Sequence, residues 1–523
     1  VPWGTELTRE GRFQRYSPRP HRVPELLLDA SRWSARVHLV QGERRLTFAE
    51  VFAAVDRVAL RLKEAGLEPG DRLLLLTPNS PEWVIAMWAT LKLGGIVALG
   101  NGWWSGAEVA HATGLISPKL VIADPKRAEL IPPEISATGG TVLPVDTVRA
   151  WVDAPDPTDA TPASGDTGDE EDPAVIIFTA GTTGPPKPVV LAHRSVVANL
   201  HNLLIMSGRL PGQERPDIPP AVSLQSGPLF HIGGLQSLLL ALLGGNTLVF
   251  LEGRFDPEQV LDVIERERIT WWGAVPTMAS RVLEHPTVTG RDLASVRSVS
   301  MGGAPIQPAL VERLRETFPN AGKGMSTIYG MTETGGTVAA ANGRTMAEHP
   351  LTSGAPLPVV DLRIDHPDAE GDGEIVVRTP GQMIGYWGTS EADLIDEDGF
   401  VHTGDQGRLV DGLLYITGRI KDLIIRGGEN IAPAHVEAAL LRHPEVLNAA
   451  VLGRPDPDLG ERVGAVVQLA REATVTEREL GEFIASSLAR FELPAEWWLT
   501  TDPLPMHDSG KTNKTELRAT WPT

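Results

Sequence analysis

A run of ten residues, Phe178-Thr179-Ala180-Gly181-Thr182-Thr183-Gly184-Pro185-Pro186-Lys187, gathers hydroxyls, glycines and a lysine directly after an apolar stretch. A loop of this kind can wrap backbone N–H groups and hydroxyls around phosphate oxygens, while Lys187 adds a positive charge. It is not the G-x-x-x-x-G-K-[ST] phosphate loop, because Pro188 follows the lysine and the glycines are spaced differently. Taken alone, such a turn reads equally well as an ordinary surface loop.

Four further groups could do related chemistry. In Tyr329-Gly330-Met331-Thr332-Glu333-Thr334 an aromatic face could stack on a purine, a hydroxyl could touch a phosphate and a carboxylate could hold Mg²⁺. The same string could be a helix start capped by Thr332. Upstream, Gly302-Gly303-Ala304-Pro305 offers a backbone path for close approach to a flat ligand, or simply a turn. Asp405, after Thr403-Gly404, could accept both hydroxyls of a ribose, and Arg419 in Gly418-Arg419-Ile420-Lys421-Asp422 could reach ribose or phosphate. The alternative is a solvated turn with a surface ion pair. Ser509-Gly510-Lys511-Thr512 could deliver an ammonium to a developing anion, although a lysine so near a chain end is normally just solvated.

These groups need a frame. Residues 46–65 and 83–93 have helical periodicity and residues 72–77 and 174–178 read as buried strands, the rhythm of βα units around a largely parallel sheet. Alternation runs to about residue 315. The polar stretch 154–173 carries no hydrophobic period and reads as a surface loop. Residues 359–415 are dense in short strands and Gly/Asp turns, a small β-rich subdomain. From Lys421 a compact α+β unit follows, with helices over 434–442 and 477–490 and strands over 449–452 and 463–469. The fold class is therefore α/β: a large N-terminal domain over 1–420 with several subdomains, parallel-type sheets and a β-rich part, plus a small mobile α+β domain over 421–523.

With 523 residues, 42% of them hydrophobic, the chain can bury more than one core. Its net charge of −20 disfavours nucleic acid and anionic lipid as partners and favours a small molecule. There is no cysteine, so disulfides, thiolate metal sites and a thiol nucleophile are excluded. Residues 1–16 lack a basic flank followed by an apolar core, and no stretch is apolar enough to span a bilayer. A cytoplasmic location is the expectation.

It is the ordered set that decides between the readings. The groups above, with Pro228-Leu229-Phe230-His231, Gly385-Tyr386-Trp387 and Gly427-Gly428-Glu429-Asn430, closely resemble the acyl-adenylate-forming superfamily of acyl-CoA synthetases, nonribosomal peptide adenylation domains and firefly luciferase. The resemblance spans essentially the whole chain. It implies an acyl-CoA ligase using ATP or acyl-AMP, CoA and Mg²⁺. Thr179, Gly181, Thr182, Thr183, Gly184 and Lys187 would clasp phosphates. Gly303, Ala304, Pro305, Tyr329 and Gly330 would line adenine, Thr332 would touch the α-phosphate, and Glu333 would serve Mg²⁺. Asp405 and Arg419 would hold the ribose. Lys421 matches the hinge between the domains and Lys511 the lysine that bridges carboxylate and α-phosphate. Gly428 matches the loop lining the pantetheine path, and His231 the residue gating it.

Three positions depart from the family pattern: Ala180 replaces a serine, Pro188 a glycine and Ala192 a threonine. Ala180 removes a donor, and Pro188 removes an N–H and fixes φ. The expectation is a weakened or lost adenylation step, with a separate adenylating enzyme supplying acyl-AMP. This phosphate loop is similar to those of acyl-CoA ligases of natural-product pathways, antibiotic biosynthesis among them. No aspartate stands in Phe230-His231-Ile232-Gly233-Gly234 to pair an α-ammonium, so an amino acid substrate is disfavoured. The segments 269–277, with Trp271 and Trp272, and 232–235 should wall a pocket for a bulky, largely apolar acid. The alternatives are a stand-alone enzyme loading a carrier protein and a non-catalytic acyl-nucleotide binder. A homodimeric assembly is left open.

Overall fold

The computed structural model describes residues 3–137, 139–155, 168–179, 185–213, 219–303, 306, 308–322, 324–388, 394–427, 429–485, 487–506 and 512–522. In the strand Arg72–Leu76, Leu73 and Leu75 enter one apolar cluster while Leu74 and Leu76 enter another. A strand buried on both faces is what an unbroken apolar run encodes. It sits inside a seven-stranded sheet ordered Gly385–Tyr386, Lys187–Ala192, Pro173–Thr179, Ile96–Leu99, Arg72–Leu76, Leu120–Ala123 and Thr141–Pro144. The last five are parallel, and the first two run antiparallel at one edge.

A second sheet of nine strands has a parallel centre: Val37–Gln41, Thr247–Phe250, Val222–Gln225, Trp271–Ala274, Ser298–Gly302 and Met325–Met331. The largest core lies between the two sheets, filled by the helices Phe48–Glu64, Pro81–Lys92, His193–Ser207 and Ile232–Leu243. Helix Pro81–Lys92 is buried on all sides because sheet-facing groups surround it, and Ser80 caps it ahead of Pro81. The outer faces are covered by Gly106–Ile116 on the first sheet and by Pro257–Glu267, Pro276–Leu283 and Pro308–Thr317 on the second. The result is five alternating layers.

The expected helix over 46–65 runs from Phe48 to Glu64. Leu46 and Thr47 finish the strand Arg44–Thr47, and Thr47 forms a reciprocal cap with Glu50. The β-rich stretch is an antiparallel sheet of Asp361–Asp365, Gly373–Arg378, Val401–Val410 and Leu413–Arg419. Its core includes Val338 and Ala339 of the strand Gly336–Asn342, which fastens it to the second large sheet.

The last part has its own apolar core around a five-stranded sheet and the helices Pro433–Leu440 and Glu477–Ile484. The latter stops short of the expected 490, and the Ser487 hydroxyl takes the Ile484 carbonyl at 3.1 Å just beyond its end. The strand expected over 449–452 is longer, Val446–Asp456. A hairpin of Glu6–Glu10 and Phe13–Ser17 precedes everything the periodicity suggested, held by Arg15 to Glu10 at 3.1 Å and to Glu170 at 2.5 Å. No helix among the described residues is long and apolar enough to cross a membrane.

Candidate active site

Thr179 and Lys187 are cross-strand partners where the antiparallel strands Pro173–Thr179 and Lys187–Ala192 diverge, so the segment between them enters and leaves the sheet at one registered pair. Of the phosphate-loop candidates, Gly181, Thr182, Thr183 and Gly184 lie outside the described residues, as does Ala180. Pro188 belongs to the strand rather than to the loop: it pairs with Phe178, and its carbonyl accepts the Trp387 N–H at 2.8 Å. Its fixed φ suits that extended backbone.

The edge strand Gly385–Tyr386 brings Tyr386 under this hairpin. The Lys187 ammonium lies 5.2 Å from the centre of its ring. The Tyr386 hydroxyl donates to Glu333 Oε1 at 3.3 Å, and the Thr179 hydroxyl reaches the same oxygen at 3.4 Å. Glu333 is 7% exposed. Burial pushes its carboxyl above the usual carboxylate range, against the opposing bonds from its own backbone N–H and from Tyr386. Thr332, Glu333 and Thr334 form one 3-10 turn. It is Thr334, not Thr332, that closes this turn, accepting the Met331 N–H at 3.2 Å. Among the described residues the Thr332 hydroxyl makes no hydrogen bond. Gly335 ends the turn with φ +74, and a side chain there would run into the backbone of Gly381.

Tyr329, four residues earlier in the strand Met325–Met331, links this group to the next. Its hydroxyl donates to Asp405 Oδ2 at 2.9 Å, and Arg419 Nε donates to Oδ1 at 2.7 Å. Burial and the Asp405 charge raise the Tyr329 phenol well above its ordinary value. Burial opposes the charge of Arg419, but Asp405 outweighs it and keeps the guanidinium pKa raised. The turn expected at Thr403-Gly404 is instead part of the strand Val401–Val410: Gly404 has φ +68 within it, the Gly404 N–H donates to Glu374 Oε1 at 3.0 Å, and the Asp405 N–H donates to Thr403 Oγ1 at 3.1 Å. The carboxylates of Glu333 and Asp405, two tyrosines, an arginine and a lysine thus converge from three sheets. The oxygen donors suit Mg²⁺, which takes one or two carboxylates with substrate phosphates and water. Glu333 would hold it. Among the described residues no cluster of three acidic or imidazole groups forms an all-protein metal site.

The AMP-binding enzyme family matches residues 28–387, and its C-terminal domain matches 435–511. The chain belongs to this family of adenylate-forming enzymes. It is an acyl-CoA synthetase, an acid–thiol ligase. It is 35% identical to a feruloyl-CoA synthase of Amycolatopsis over 91% of this chain and 94% of that one. A fatty acid–[acyl-carrier-protein] ligase of Streptomyces coeruleorubidus is 33% identical, with 91% of each chain covered. The o-succinylbenzoate CoA synthetase of Bacillus subtilis, solved with ATP and magnesium ion, is 29% identical and superposes with a TM-score of 0.78 over 94% of this chain and 99% of that one.

The rest of the synthetase's expected site is spread more widely. Gly303 follows the strand Ser298–Gly302, while Ala304 and Pro305 lie outside the described residues. Gly330 lies in the strand of Tyr329. His231 precedes the helix Ile232–Leu243 and packs on Phe230 at 4.6 Å, which in turn meets Trp103 at 5.3 Å. Exposed Lys421 lies in the turn directly after Arg419. Gly428 is outside the described residues, between the paired strands Ile424–Arg426 and Glu429–Ile431. Lys511 is outside them too, bracketed by the bridge between Met506 and Thr512. Met506 Sδ lies 3.7 Å from Arg281 of the large domain.

Two expectations change. Trp272 is no pocket wall: it is fully buried in the outer core, beside Phe318 at 6.0 Å, with its indole N–H on Ser226 Oγ at 3.0 Å. Consecutive strand residues face opposite ways, so half-buried Trp271 lies on the other face, its ring over Gly273. Ala192 bears on a helix start rather than on phosphate. It leaves His193–Ser207 without a side-chain cap, and the carbonyls of Asp172 and Glu170 accept the N–H groups of His193 and Arg194 instead. Glu374 and the phenol of Tyr386 had no assigned role; both lie in short strands whose partners are distant in sequence.

Proposed function

We propose that this synthetase makes the CoA thioester of a bulky, largely apolar carboxylic acid through an acyl-adenylate, with an adenylation half-reaction weaker than the thioester half-reaction. The observation that supports it is the convergence of Thr179, Lys187 and Tyr386 on Glu333 beside the Tyr329–Asp405–Arg419 group.

In adenylation a carboxylate oxygen attacks the α-phosphorus of ATP and pyrophosphate leaves. Lys187 and Thr179 hold phosphate oxygens, Thr332 meets the α-phosphate, and Lys511 bridges it to the substrate carboxylate, so that cations offset repulsion between anions. Asp405 and Arg419 anchor the ribose, and Tyr329 and Gly330, with 303–305, bound the adenine. Mg²⁺ at Glu333 neutralises phosphate charge when bound. In the second step a CoA sulfur attacks the acyl carbon and AMP leaves. With no cysteine in the chain, the acyl group passes straight to the external thiol. Gly428 lines the pantetheine path and His231 gates it, once the small domain, 421–523, turns about Lys421 relative to 1–420.

Ala180 removes one donor from the phosphate loop, and a lost transition-state donor typically lowers the rate about 10²- to 10³-fold. A separate adenylating enzyme would then feed acyl-AMP to this one, as suits a biosynthetic pathway. The carrier-protein ligase among its relatives favours a second reading, in which a carrier-bound phosphopantetheine replaces CoA.

The test offers fatty, aromatic and polycyclic acids with ATP, and their synthetic adenylates, to CoA and to a phosphopantetheinylated carrier protein. Thioester from the adenylates on CoA, with little acid-dependent pyrophosphate exchange, is expected. Robust exchange refutes the weakened step, transfer to the carrier alone selects the second reading, and preference for a small charged acid refutes the apolar pocket.

A further inference from the structure

Between the cross-strand pairs Glu374–Gln406 and Val376–His402, the residues 403–405 of the strand Val401–Val410 stand against Ile375 alone of its antiparallel neighbour Gly373–Arg378. The longer stretch bulges, and its last residue is Asp405. A bulge takes backbone N–H groups out of the ladder, and shielded ones then need other acceptors. Here side chains supply them. The Gly404 N–H donates to Glu374 Oε1 at 3.0 Å, and the Asp405 N–H to Thr403 Oγ1 at 3.1 Å. The Thr403 hydroxyl in turn donates to the Ile375 carbonyl at 2.6 Å, which ties the bulge to the strand it departs from.

Glu374 is itself held. Its other oxygen, Oε2, lies 2.9 Å from Nδ1 of His402, the residue just ahead of the bulge, and His402 Nε2 faces Asp396 Oδ2 at 3.7 Å. The Glu374 hydrogen bond raises the His402 imidazole above its ordinary value against the effect of burial, and the charges of Glu374, Asp396 and Asp365 add to the rise. The imidazolium so favoured donates through both ring nitrogens. One carboxylate thus bridges the side chain of His402 and the backbone of Gly404, and spans the bend between them.

We infer that Glu374 and His402 are positioning residues for the nucleotide: Glu374 fixes the bulged backbone that aims Asp405, and His402 fixes Glu374. This rests on the reading above, in which Asp405 holds the ribose hydroxyls. Among the described residues the Asp405 carboxylate takes hydrogen bonds from Tyr329 and Arg419 and from neither member of the pair, so the pair acts through the backbone. Without Glu374 the Gly404 N–H loses its acceptor, and the bulge is free to shift toward one that costs Asp405 its aim.

The experiment measures the binding of AMP, and of dideoxy-AMP lacking both ribose hydroxyls, to the full-length enzyme by isothermal titration calorimetry. The ratio of the two dissociation constants reads the grip on those hydroxyls, and a variant that merely loses stability leaves it unchanged. The parent should favour AMP about 10- to 100-fold, the range for hydroxyls on a charged acceptor. In Glu374→Ala the ratio should fall toward one. Glu374→Gln should keep most of it, because the amide oxygen still accepts the Gly404 N–H. His402→Phe should lower it about 3- to 10-fold, the worth of one hydrogen bond, and this variant decides the matter where Glu374→Ala does not fold. The inference is overturned if the ratio survives in Glu374→Ala or in His402→Phe, or if Glu374→Gln loses as much as Glu374→Ala. If the parent binds both nucleotides alike, the ribose reading of Asp405 fails and the inference with it, a result distinct from a parent ratio that the variants leave intact.

Discussion

Asp405 and Arg419 stand directly opposite one another across the strands Val401–Val410 and Leu413–Arg419, with Arg419 Nε 2.7 Å from Asp405 Oδ1. The pair depends on a shift of register between Gln406 and Gly407, without which the turn joining the two strands would set Asp405 opposite Gly418. Asp405 also takes the Tyr329 hydroxyl, so it is the junction between two sheets.

Asp405→Asn should therefore raise the KM for acyl-AMP and ATP about 10- to 100-fold, by removing a charged acceptor of hydroxyl groups. The KM for CoA should change little. Steady-state kinetics with each substrate varied in turn checks this, and an equal rise in all three would point to loss of fold.

Glu333 gives a pH-dependent stability effect. Its folded-state pKa is raised by burial, so the ionised form is disfavoured in the fold relative to the unfolded chain. The fold is thus least burdened when Glu333 is protonated, below the ordinary carboxylate range, and carries the full burden above the raised folded value. Glu333→Gln should stabilise the protein at neutral pH and lose that advantage as the pH falls through the carboxylate range. Urea unfolding of parent and variant at several pH values reads it. The same variant should lose about 10²-fold in ATP-dependent turnover, the effect of removing one preorganised group at a phosphate centre.

The adjacent tryptophans should separate cleanly. Trp272→Ala should cost about 3–5 kcal/mol of stability, the range for emptying a buried aromatic site, and Trp271→Ala much less. Chemical denaturation of both variants measures the difference.

Gly335→Ala combines a left-handed backbone with a collision against the Gly381 backbone. A loss of more than about 1–2 kcal/mol is expected from the backbone conformation alone. Thermal unfolding checks it, and unchanged stability would mean that the turn can rebuild.

The layers were legible because their signals are local. Four consecutive leucines after Arg72 announce a strand buried on both faces, and the helical period over 46–65 announces a helix, though not that Thr47 ends a strand and starts the helix at Phe48. The ordered motifs likewise named Thr179, Glu333, Tyr329 and Asp405 before any distance was known. What joins them was not legible. Tyr386 reaches Glu333 from an edge strand of two residues, too short for any period, and Glu374 reaches Gly404 across a sheet. Two tryptophans side by side look alike in sequence, yet the pleat sends Trp272 into the outer core. The N-terminal hairpin stayed hidden because its alternation is carried by charged residues held by distant acids such as Glu170.

The pairing of Thr179 with Lys187 has a consequence for how such enzymes diversify. Both ends of the intervening segment are pinned to adjacent strands, with Pro188 already inside the sheet. Whatever stands between them, the positions of Thr179 and Lys187 beside Tyr386 and Glu333 are set by the sheet. Grafting the corresponding segment from a relative into this chain would then test whether that stretch sets the rate of the proposed adenylation step while thioester formation stays unchanged.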